Sequence, residues 1–194
     1  MTKRKSKLVD IACLVRVVEE TPLAAVRQAV ALAQASGAHL RLVLAVQHFK
    51  APYTPFMGSL SKSIAAEVNQ KADAQGSDIR NAAEALAGAA SISMEIEVVA
   101  GPFAEVAERA ANVARASDLV IVDQQHGALD TAEMLIEEAL FRTGRPVMIV
   151  SPEKPAVERI RKLMVGWDGS AHAVRAVSDA IFVFDDLESI EIVT

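Results

Sequence analysis

The side chains most able to do chemistry are concentrated in one short segment, Asp168-Gly169-Ser170 followed by His172. Ser170 and His172 are of the types that form a nucleophile and its general base. Residues two apart on a helix point in different directions, however, and no third group is placed to orient the histidine. The segment also fits the start of a helix, with Asp168 or Ser170 as the N-cap and Gly169 easing the turn. We therefore predict no catalytic site here.

Other residues of catalytic or metal-binding type do not form a recognisable site. No histidine lies at metal-ligand spacing from another histidine or from the one cysteine; the four are His39, His48, His126 and His172. Glu137 and Glu138 could be read as an acid–base pair, but adjacent helix residues diverge by about 100°, which favours a solvated face. The sequence therefore predicts no bound metal.

The composition limits the classes of protein to which the chain can belong. It has 194 residues, with 20 Lys and Arg against 25 Asp and Glu, and a formal net charge of −5. Affinity for nucleic acid comes mainly from clustered Lys and Arg, so this balance argues against nucleic acid as a main partner. Hydrophobic residues make up 52% and aromatic residues 4%, a mixture that suits helices packed on a β-sheet. The single cysteine, Cys13, excludes an intramolecular disulfide.

No segment has the pattern of a membrane span or of a cleavable signal. The first residues are basic, but the strand-like run that follows is broken by Arg16, and no small-residue cleavage site comes after it. No stretch approaches the ~18 apolar residues needed to span a bilayer. We therefore expect a soluble cytoplasmic protein without a membrane partner.

The spacing of apolar residues switches repeatedly between strand and helix periods. Short apolar runs predict strands over residues 11–18, 40–46, 94–98, 119–122 and 147–150. Helical spacing fills the gaps, over residues 22–36, 60–86, 103–113 and 129–142. Alternation of this kind implies right-handed crossovers and a parallel sheet with helices on both faces. The predicted fold is a doubly wound α/β domain.

Capping and breaking residues indicate where the helices begin and end. Thr21 is predicted to be the N-cap of the first helix, with the proline after it at the first helical position, and Gly37 to end that helix in a left-handed conformation. Gly76 is a candidate interruption of the long second helix. The alternating charges Glu95 and Glu97 suit a strand at the edge of the sheet.

The end of the chain repeats its beginning. The patterns of a strand, a helix and a strand recur over residues 162–167, 170–181 and 189–193. Ala25-Val26-Arg27 recurs as Ala173-Val174-Arg175, an offset of 148 residues, which is the size of one domain. Such a period indicates a tandem duplication. We expect one complete domain over residues 1–155 and a second, truncated copy over residues 156–194.

Four segments, by their order and spacing, resemble the universal stress protein family, specifically its tandem two-domain members. They are Gly101-Pro102, Ser117-Asp118-Leu119-Val120-Ile121-Val122, Arg145-Pro146-Val147-Met148-Ile149-Val150 and Val165-Gly166-Trp167-Asp168-Gly169-Ser170. The resemblance covers essentially the whole chain. It implies a five-stranded Rossmann-like sheet in the order 3-2-1-4-5 and, in some members, ATP bound at the carboxyl ends of the strands, where the strand order reverses.

The same resemblance identifies candidate nucleotide-binding residues. Asp168, Gly169 and Ser170 are the candidates in the second copy, where the phosphate loop would lie beyond Thr194. The family's phosphate signature, Gly-x2-Gly-x9-Gly-(Ser/Thr), corresponds here to Gln124, Gly127, Glu137 and Glu138, so that only Gly127 matches it. Carboxylates at a phosphate site repel it by about 1 kcal/mol per charge pair even in water. We therefore predict that the first domain does not bind ATP in the family manner, and that ATP is possible only if the second domain is completed.

The resemblance favours a non-enzymatic stress-response protein that acts through binding and association. Closing strands often pair between two domains in this family, so a homodimer through the edge Val147, Met148, Ile149 and Val150 is expected. The alternative is an ATP-binding, weakly hydrolysing member or a related nucleotide-binding α/β enzyme. Such enzymes typically need a Ser- and Gly-rich loop after the first strand, and Val17-Val18-Glu19-Glu20 offers none. A third possibility is a degenerate module whose pocket binds a small apolar or anionic metabolite.

Overall fold

The computed structural model describes residues 8–51, 58–124 and 131–194. Five strands lie in the first 150 residues: β1 (Asp10–Arg16), β2 (His39–Gln47), β3 (Met94–Gly101), β4 (Leu119–Asp123) and β5 (Val147–Val150). Four helices connect them: α1 (Ala24–Ser36), α2 (Gly58–Ala90), α3 (Phe103–Ala114) and α4 (Thr131–Arg142). A shorter unit follows, made of β6 (Lys162–Gly166), α5 (Ala171–Val183) and β7 (Ser189–Val193).

The first five strands form one parallel sheet in the order β3-β2-β1-β4-β5. The predicted α/β class and strand order are therefore confirmed. β1 lies at the centre, where Ile11 pairs with Leu40 of β2 on one side and with Leu119 of β4 on the other. All five residues of β4 are buried, as expected for a parallel strand covered on both faces.

Helices cover both faces of this sheet. Side chains from α1 and α2 pack with Ile11, Cys13 and Val15, whereas side chains from α3 and α4 pack with Ala12 and Leu14. Many of the helix residues in these contacts are alanines with no exposed surface, namely Ala25, Ala29, Ala33, Ala83, Ala107, Ala110, Ala114 and Ala139. Short side chains let a helix approach the sheet closely, which explains the alanine-rich composition. Among the described residues, no helix is both long enough and apolar enough to cross a bilayer.

The start of α1 differs from the prediction, whereas its end agrees. The N-cap is Leu23, which supplies no side-chain cap, so the prediction that Thr21 is the N-cap was wrong. The Thr21 hydroxyl instead accepts a hydrogen bond from the N–H of Val18 at 2.8 Å and lies 2.9 Å from its carbonyl oxygen, closing a local turn before the helix. Gly37 has φ 74° and its N–H donates to Ala33, which confirms the predicted left-handed cap.

Gly76 does not interrupt α2, which is one continuous helix of 33 residues. The glycine is buried, and a Cβ atom at this position would lie 3.4 Å from Cγ2 of Val46 in β2. A methyl group here would thus just reach van der Waals contact with the sheet, so α2 packs closely against β2 at this glycine. The charged strand β3 lies at the sheet edge as predicted, and its Glu95 carboxylate is 3.4 Å from Nε of Arg41.

The second unit is a two-stranded parallel sheet with one helix, and contacts with the first unit are made by the end of α5 and by the segment before β6. Val183, at the end of α5, is 4% exposed and joins the core beneath α1, with Phe184 packed beside it. Gln28 of α1 is 3% exposed, and its amide donates to the carbonyl of Val157 at 2.7 Å and accepts from its N–H at 3.0 Å. One glutamine side chain thus satisfies both backbone groups of Val157, as a neighbouring strand would.

We predict that Gln28→Ala lowers the free energy of unfolding by about 1–3 kcal/mol, because it leaves two backbone polar groups without their partner. Urea denaturation followed by circular dichroism measures this change. Gln34→Ala on the same helix is the control, since Gln34 is exposed and makes one hydrogen bond of 3.3 Å, to Ala90. Equal effects of the two substitutions would show that the Gln28 amide does not hold residue 157.

Candidate functional site

The strand order reverses between β1 and β4, which makes the carboxyl ends of these strands the candidate site. From β1 the chain returns through α1 towards β2, whereas from β4 it returns through α4 towards β5. The two connections therefore leave in opposite directions, and a crevice forms between them in folds of this class. The residues that end the two strands are Arg16 and Asp123.

The carboxylate of Asp123 lies at the N-terminus of α1. Its side chain is 4% exposed, and its Oδ1 accepts a hydrogen bond of 2.8 Å from the N–H of Ala25 in the first turn of α1. The first N–H groups of a helix have no partner inside the helix, and they attract a negative charge. Because Leu23 provides no side-chain cap, the helix receives its acceptor from a strand that lies 98 residues further along the chain.

Burial dominates the electrostatics of Asp123. It raises the pKa of the carboxyl from 3.8 to about 6, although the hydrogen bond from Ala25 and the nearby charge of Arg27 both act to lower that pKa. Cys13, on the neighbouring strand, has a pKa raised well above its usual range, first by its own burial and then by the charge of Asp123. Cys13 is therefore held as a thiol, which is a poor nucleophile.

Arg16 and Asp123 lie on opposite faces of the sheet. Successive side chains of a strand alternate between faces, so Arg16 shares the α3–α4 face with Leu14, whereas Asp123 lies on the α1 face with Ile121. Partial burial lowers the pKa of the Arg16 guanidinium. The crevice thus presents a cation on one side of the sheet and a buried carboxylate on the other.

The positions predicted from the family's phosphate signature are not assembled as a phosphate cradle by the described residues. Gly127 lies outside these residues. Gln124 is exposed, and its N–H donates to the carbonyl of Val150. Glu137 and Glu138 lie near the middle of α4, not at its start, and Glu138 is 3.9 Å from Arg142 one turn later. Their carboxylates therefore lie more than one turn inside α4 and not at its start.

The segment Asp168-Gly169-Ser170 forms the start of α5. The Ser170 side chain is the N-cap and accepts a hydrogen bond from the N–H of Ala173 at 3.2 Å, while the N–H of Ser170 donates to Asp168 at 2.8 Å. These bonds with Ser170 lower the pKa of the Asp168 carboxyl, which is fully exposed. Gly169 has φ 74°, a conformation that favours glycine in this turn. The segment and Gly127 therefore remain candidates for a ligand only through the family resemblance.

A second polar cluster, which the sequence did not indicate, holds the chain where it leaves β2. Nε2 of His48 is 2.8 Å from the carboxylate of Asp73, and the Asn69 amide binds both the N–H and the carbonyl of Phe49, at 2.8 and 3.2 Å. Asn69 and Asp73 are one turn apart on α2. Their role is to fix the chain after β2 against that helix. Among the described residues, no three His, Cys, Asp or Glu side chains form a group that could hold a metal ion.

Asp123 is the main residue that sequence reasoning missed. The run Leu119-Val120-Ile121-Val122 was interpreted as a strand that ends before it, and nothing in the sequence shows that a carboxylate at position 123 meets Ala25. The available signal was an acidic residue directly after a fully apolar central strand. Such a residue lies at the carboxyl edge of a parallel sheet, which is where ligands bind in this class of fold.

We predict that Asp123→Asn stabilises the protein above about pH 6 by ~2–3 kcal/mol and has little effect below about pH 4. The folded-state pKa of about 6 lies above the ordinary 3.8, so the native state binds the proton more tightly than the unfolded chain. The contribution of Asp123 to stability therefore falls as the pH rises through this window. Asparagine keeps the acceptor for Ala25 without the charge.

Urea denaturation of both proteins between about pH 3.5 and 8 measures this difference. Glu137→Gln, at an exposed position on α4, is the control and should give a curve parallel to that of the unmodified protein. A less stable Asp123→Asn protein at neutral pH would show that attraction between the carboxylate and the helix exceeds the cost of burial.

Comparison with solved structures places this architecture among known folds. The chain is similar to the universal stress protein UspA from Lactobacillus plantarum, with 19% identity, a TM-score of 0.54, and coverage of 77% of this chain and 99% of that one. It is also similar to a universal stress protein from Archaeoglobus fulgidus, with 16% identity, a TM-score of 0.58, and coverage of 96% of this chain and 65% of that one. No family model matches the sequence, and no curated protein matches it either. The chain has the fold of the universal stress proteins.

Proposed function

We propose that the chain is a cytoplasmic universal stress protein that acts by binding and association, without catalysis, and that its first unit does not hold ATP. The observation that carries this proposal is the buried carboxylate of Asp123 at the start of α1. A nucleotide bound at the β1–β4 crevice would bring its own negative charges to helix N-termini. In the first unit, the N-terminus of α1 is already occupied by a side chain of the protein.

Charge strengthens this reasoning near neutral pH. With a pKa of about 6, Asp123 is largely ionised at about pH 7. A phosphate close to it meets a like charge in a partly desolvated site, where repulsion is stronger than in water. Arg16 would attract a phosphate, but it lies on the other face of the sheet.

Support for a non-enzymatic role comes from the residues of catalytic type that the structure describes. Cys13 is a buried thiol in the middle of β1, and Ser170 is used as a helix cap. His48 is held by Asp73 against α2, with no nucleophilic side chain among the contacts described for it. These arrangements favour binding over turnover, and they make the ATP-hydrolysing alternative the less supported one.

The open edge of β5 is the surface that we propose for association with a second copy. Pro146 and Val150 accept hydrogen bonds from β4, so the backbone groups of Val147 and Ile149 point away from it. Ile149 is 45% exposed. In an antiparallel pair centred on Ile149, the same apolar residues of β5 come together from the two copies, since this strand runs from Val147 to Val150. This self-complementary pattern supports a homodimer with two-fold symmetry.

We expect isothermal titration calorimetry with ATP, ADP and AMP, with and without Mg²⁺, to give no heat of binding to the first unit. The physical reason is the occupied helix N-terminus at the crevice. Micromolar affinity that survives Asp168→Ala would place a nucleotide in the first unit and contradict the proposal. Binding accompanied by release of phosphate would support the enzymatic alternative.

Asp168→Ala assigns any heat to one of the two units, because Asp168 lies in the second unit and makes no contact with the first crevice in the described hydrogen bonds. Heat that this substitution abolishes belongs to the second unit and leaves the proposal for the first intact. Glu137→Gln serves as a matched control for the removal of an exposed carboxylate.

For association, we predict that Ile149→Lys weakens dimerisation at least about tenfold, because it places two like charges opposite each other at the centre of the paired strands. Glu153→Lys, in the turn after β5, is the control and should leave the dimer constant unchanged. Analytical ultracentrifugation over a range of protein concentrations measures the dimer constant. An unmodified protein that remains monomeric at high concentration would refute the dimer. An Ile149→Lys protein that dimerises as the unmodified protein does would refute pairing through β5.

A further inference from the structure

The first part of α2 extends past the sheet that the rest of the helix covers. Gly76 packs against Val46, which precedes the last residue of β2, and α2 runs back along that strand from its carboxyl end. Among the described residues, the part of α2 that contributes to the core begins at Ala72. At about 1.5 Å per residue, roughly 27 Å of helix between Gly58 and Gly76 precedes the contact with Val46.

This leading part of α2 carries an exposed apolar stripe. Leu60, Ile64 and Val68 follow one another at intervals of one helical turn, so they lie along one side of the helix. Their side chains are 52%, 54% and 40% exposed. Apolar side chains on one face of a helix normally pack against another element. Here Ile64 and Val68, together with Ser61 and Ala65, form one wall of an open groove.

The other wall of the groove is the chain that leaves β2. It consists of Phe49, Lys50 and Ala51, and the groove between the two walls has a volume of about 380 Å³. The helix itself fixes this wall, because the Asn69 amide binds both the N–H and the carbonyl of Phe49, at 2.8 and 3.2 Å. Sites for small molecules are typically preformed, concave and mostly apolar, with volumes of about 300–1,000 Å³. The groove has each of these properties.

Lys50 is the one charged residue among the described residues that line the groove. Its Nζ lies 3.5 Å from Oε1 of Glu105, in the first turn of α3, and the two side chains are 76% and 63% exposed. An ion pair this exposed contributes little to stability. A carboxylate from a ligand can therefore replace Glu105 beside the ammonium at small cost. The lining thus combines an apolar surface with a single cation.

We propose that this groove binds a straight-chain carboxylic acid of about ten carbons, with its alkyl chain against Ile64 and Val68 and its carboxylate beside Lys50. The size follows from the volume, because a cavity of about 150 Å³ holds benzene and about 380 Å³ therefore holds roughly 15 non-hydrogen atoms. A stable protein interface involves about 20–30 residues a side, far more than line this groove, which favours a small molecule over a second copy. Arg16 and Asp123 do not line the groove, so the proposal does not depend on whether the first unit holds ATP.

Isothermal titration calorimetry with decanoate and hexanoate tests the site. We expect one decanoate to bind per chain, and hexanoate, whose alkyl chain is shorter, to bind at least about tenfold more weakly. Ala65→Phe fills the groove with a ring and should weaken decanoate binding at least about tenfold. Ala66→Phe, at the next and exposed position of the same helix, is the matched control and should leave the affinity unchanged. Absence of binding to the unmodified protein, or equal effects of the two substitutions, would overturn the proposal.

Substitutions at the ion pair test recognition of the carboxylate. Lys50→Met should weaken the binding of decanoate about threefold and leave the binding of decanol unchanged. Glu105→Gln removes the competing carboxylate and should strengthen decanoate binding about twofold, whereas Glu108→Gln, exposed on the same helix, should have no effect. Equal effects of Lys50→Met on the acid and on the alcohol would show that the charge is not recognised and would contradict the proposal.

Analytical ultracentrifugation distinguishes a second copy as the occupant of the groove. If Ala65→Phe abolished self-association that Ile149→Lys left intact, the groove would be an interface between copies and the proposal would be wrong. Thermal unfolding followed by circular dichroism should be the same for Ala65→Phe and Ala66→Phe, because both positions lie on the part of α2 that precedes the core. The loss of decanoate binding then results from the filled groove and not from unfolding.

Discussion

Complete coverage of the central strand is the constraint on which the first unit depends. Ile11, Cys13 and Leu14 of β1 are at most 1% exposed, because β2 and β4 occupy both edges of the strand and helices cover both faces. A strand in this position cannot hold an uncompensated polar side chain without a large desolvation penalty. Charged groups are therefore displaced to strand ends, and two of them, Arg16 and Asp123, meet the crevice where a ligand would bind.

The bond between Asp123 and Ala25 shows how such a constraint shapes a site. The local sequence before α1 does not provide a cap, because Thr21 closes its own turn, and the helix takes its acceptor from β4. The cost of removing this carboxylate from water raises its pKa, because burial outweighs both the hydrogen bond from Ala25 and the charge of Arg27. One carboxylate thus links the start of a helix to the end of a strand and gives the crevice a negative charge.

Comparison of the two β-α-β units, β1-α1-β2 and β6-α5-β7, distinguishes the effects of local sequence from those of packing. Both units form a strand, a helix of 13 residues and a parallel strand, although only β1 and β2 have strand partners at both edges. The helical and strand periods of the sequence are therefore sufficient to define these elements. Burial differs because it depends on neighbours that are distant in sequence. Leu14 of β1 is 1% exposed, whereas Met164 of β6 is 71% exposed. The same local structure can thus belong to a finished core or to an open surface.

The sequence by itself determined the order of strands and helices, the parallel sheet, the charged edge strand and the glycine that ends α1. These features depend on residues close together in the chain, where periodicity and capping chemistry act directly. Only the tertiary structure decided that Gly76 packs against Val46 and that Asp123 occupies the N-terminus of α1. The physical reason is that each depends on contact between elements whose separation and angle follow from packing, which no local pattern of residues records.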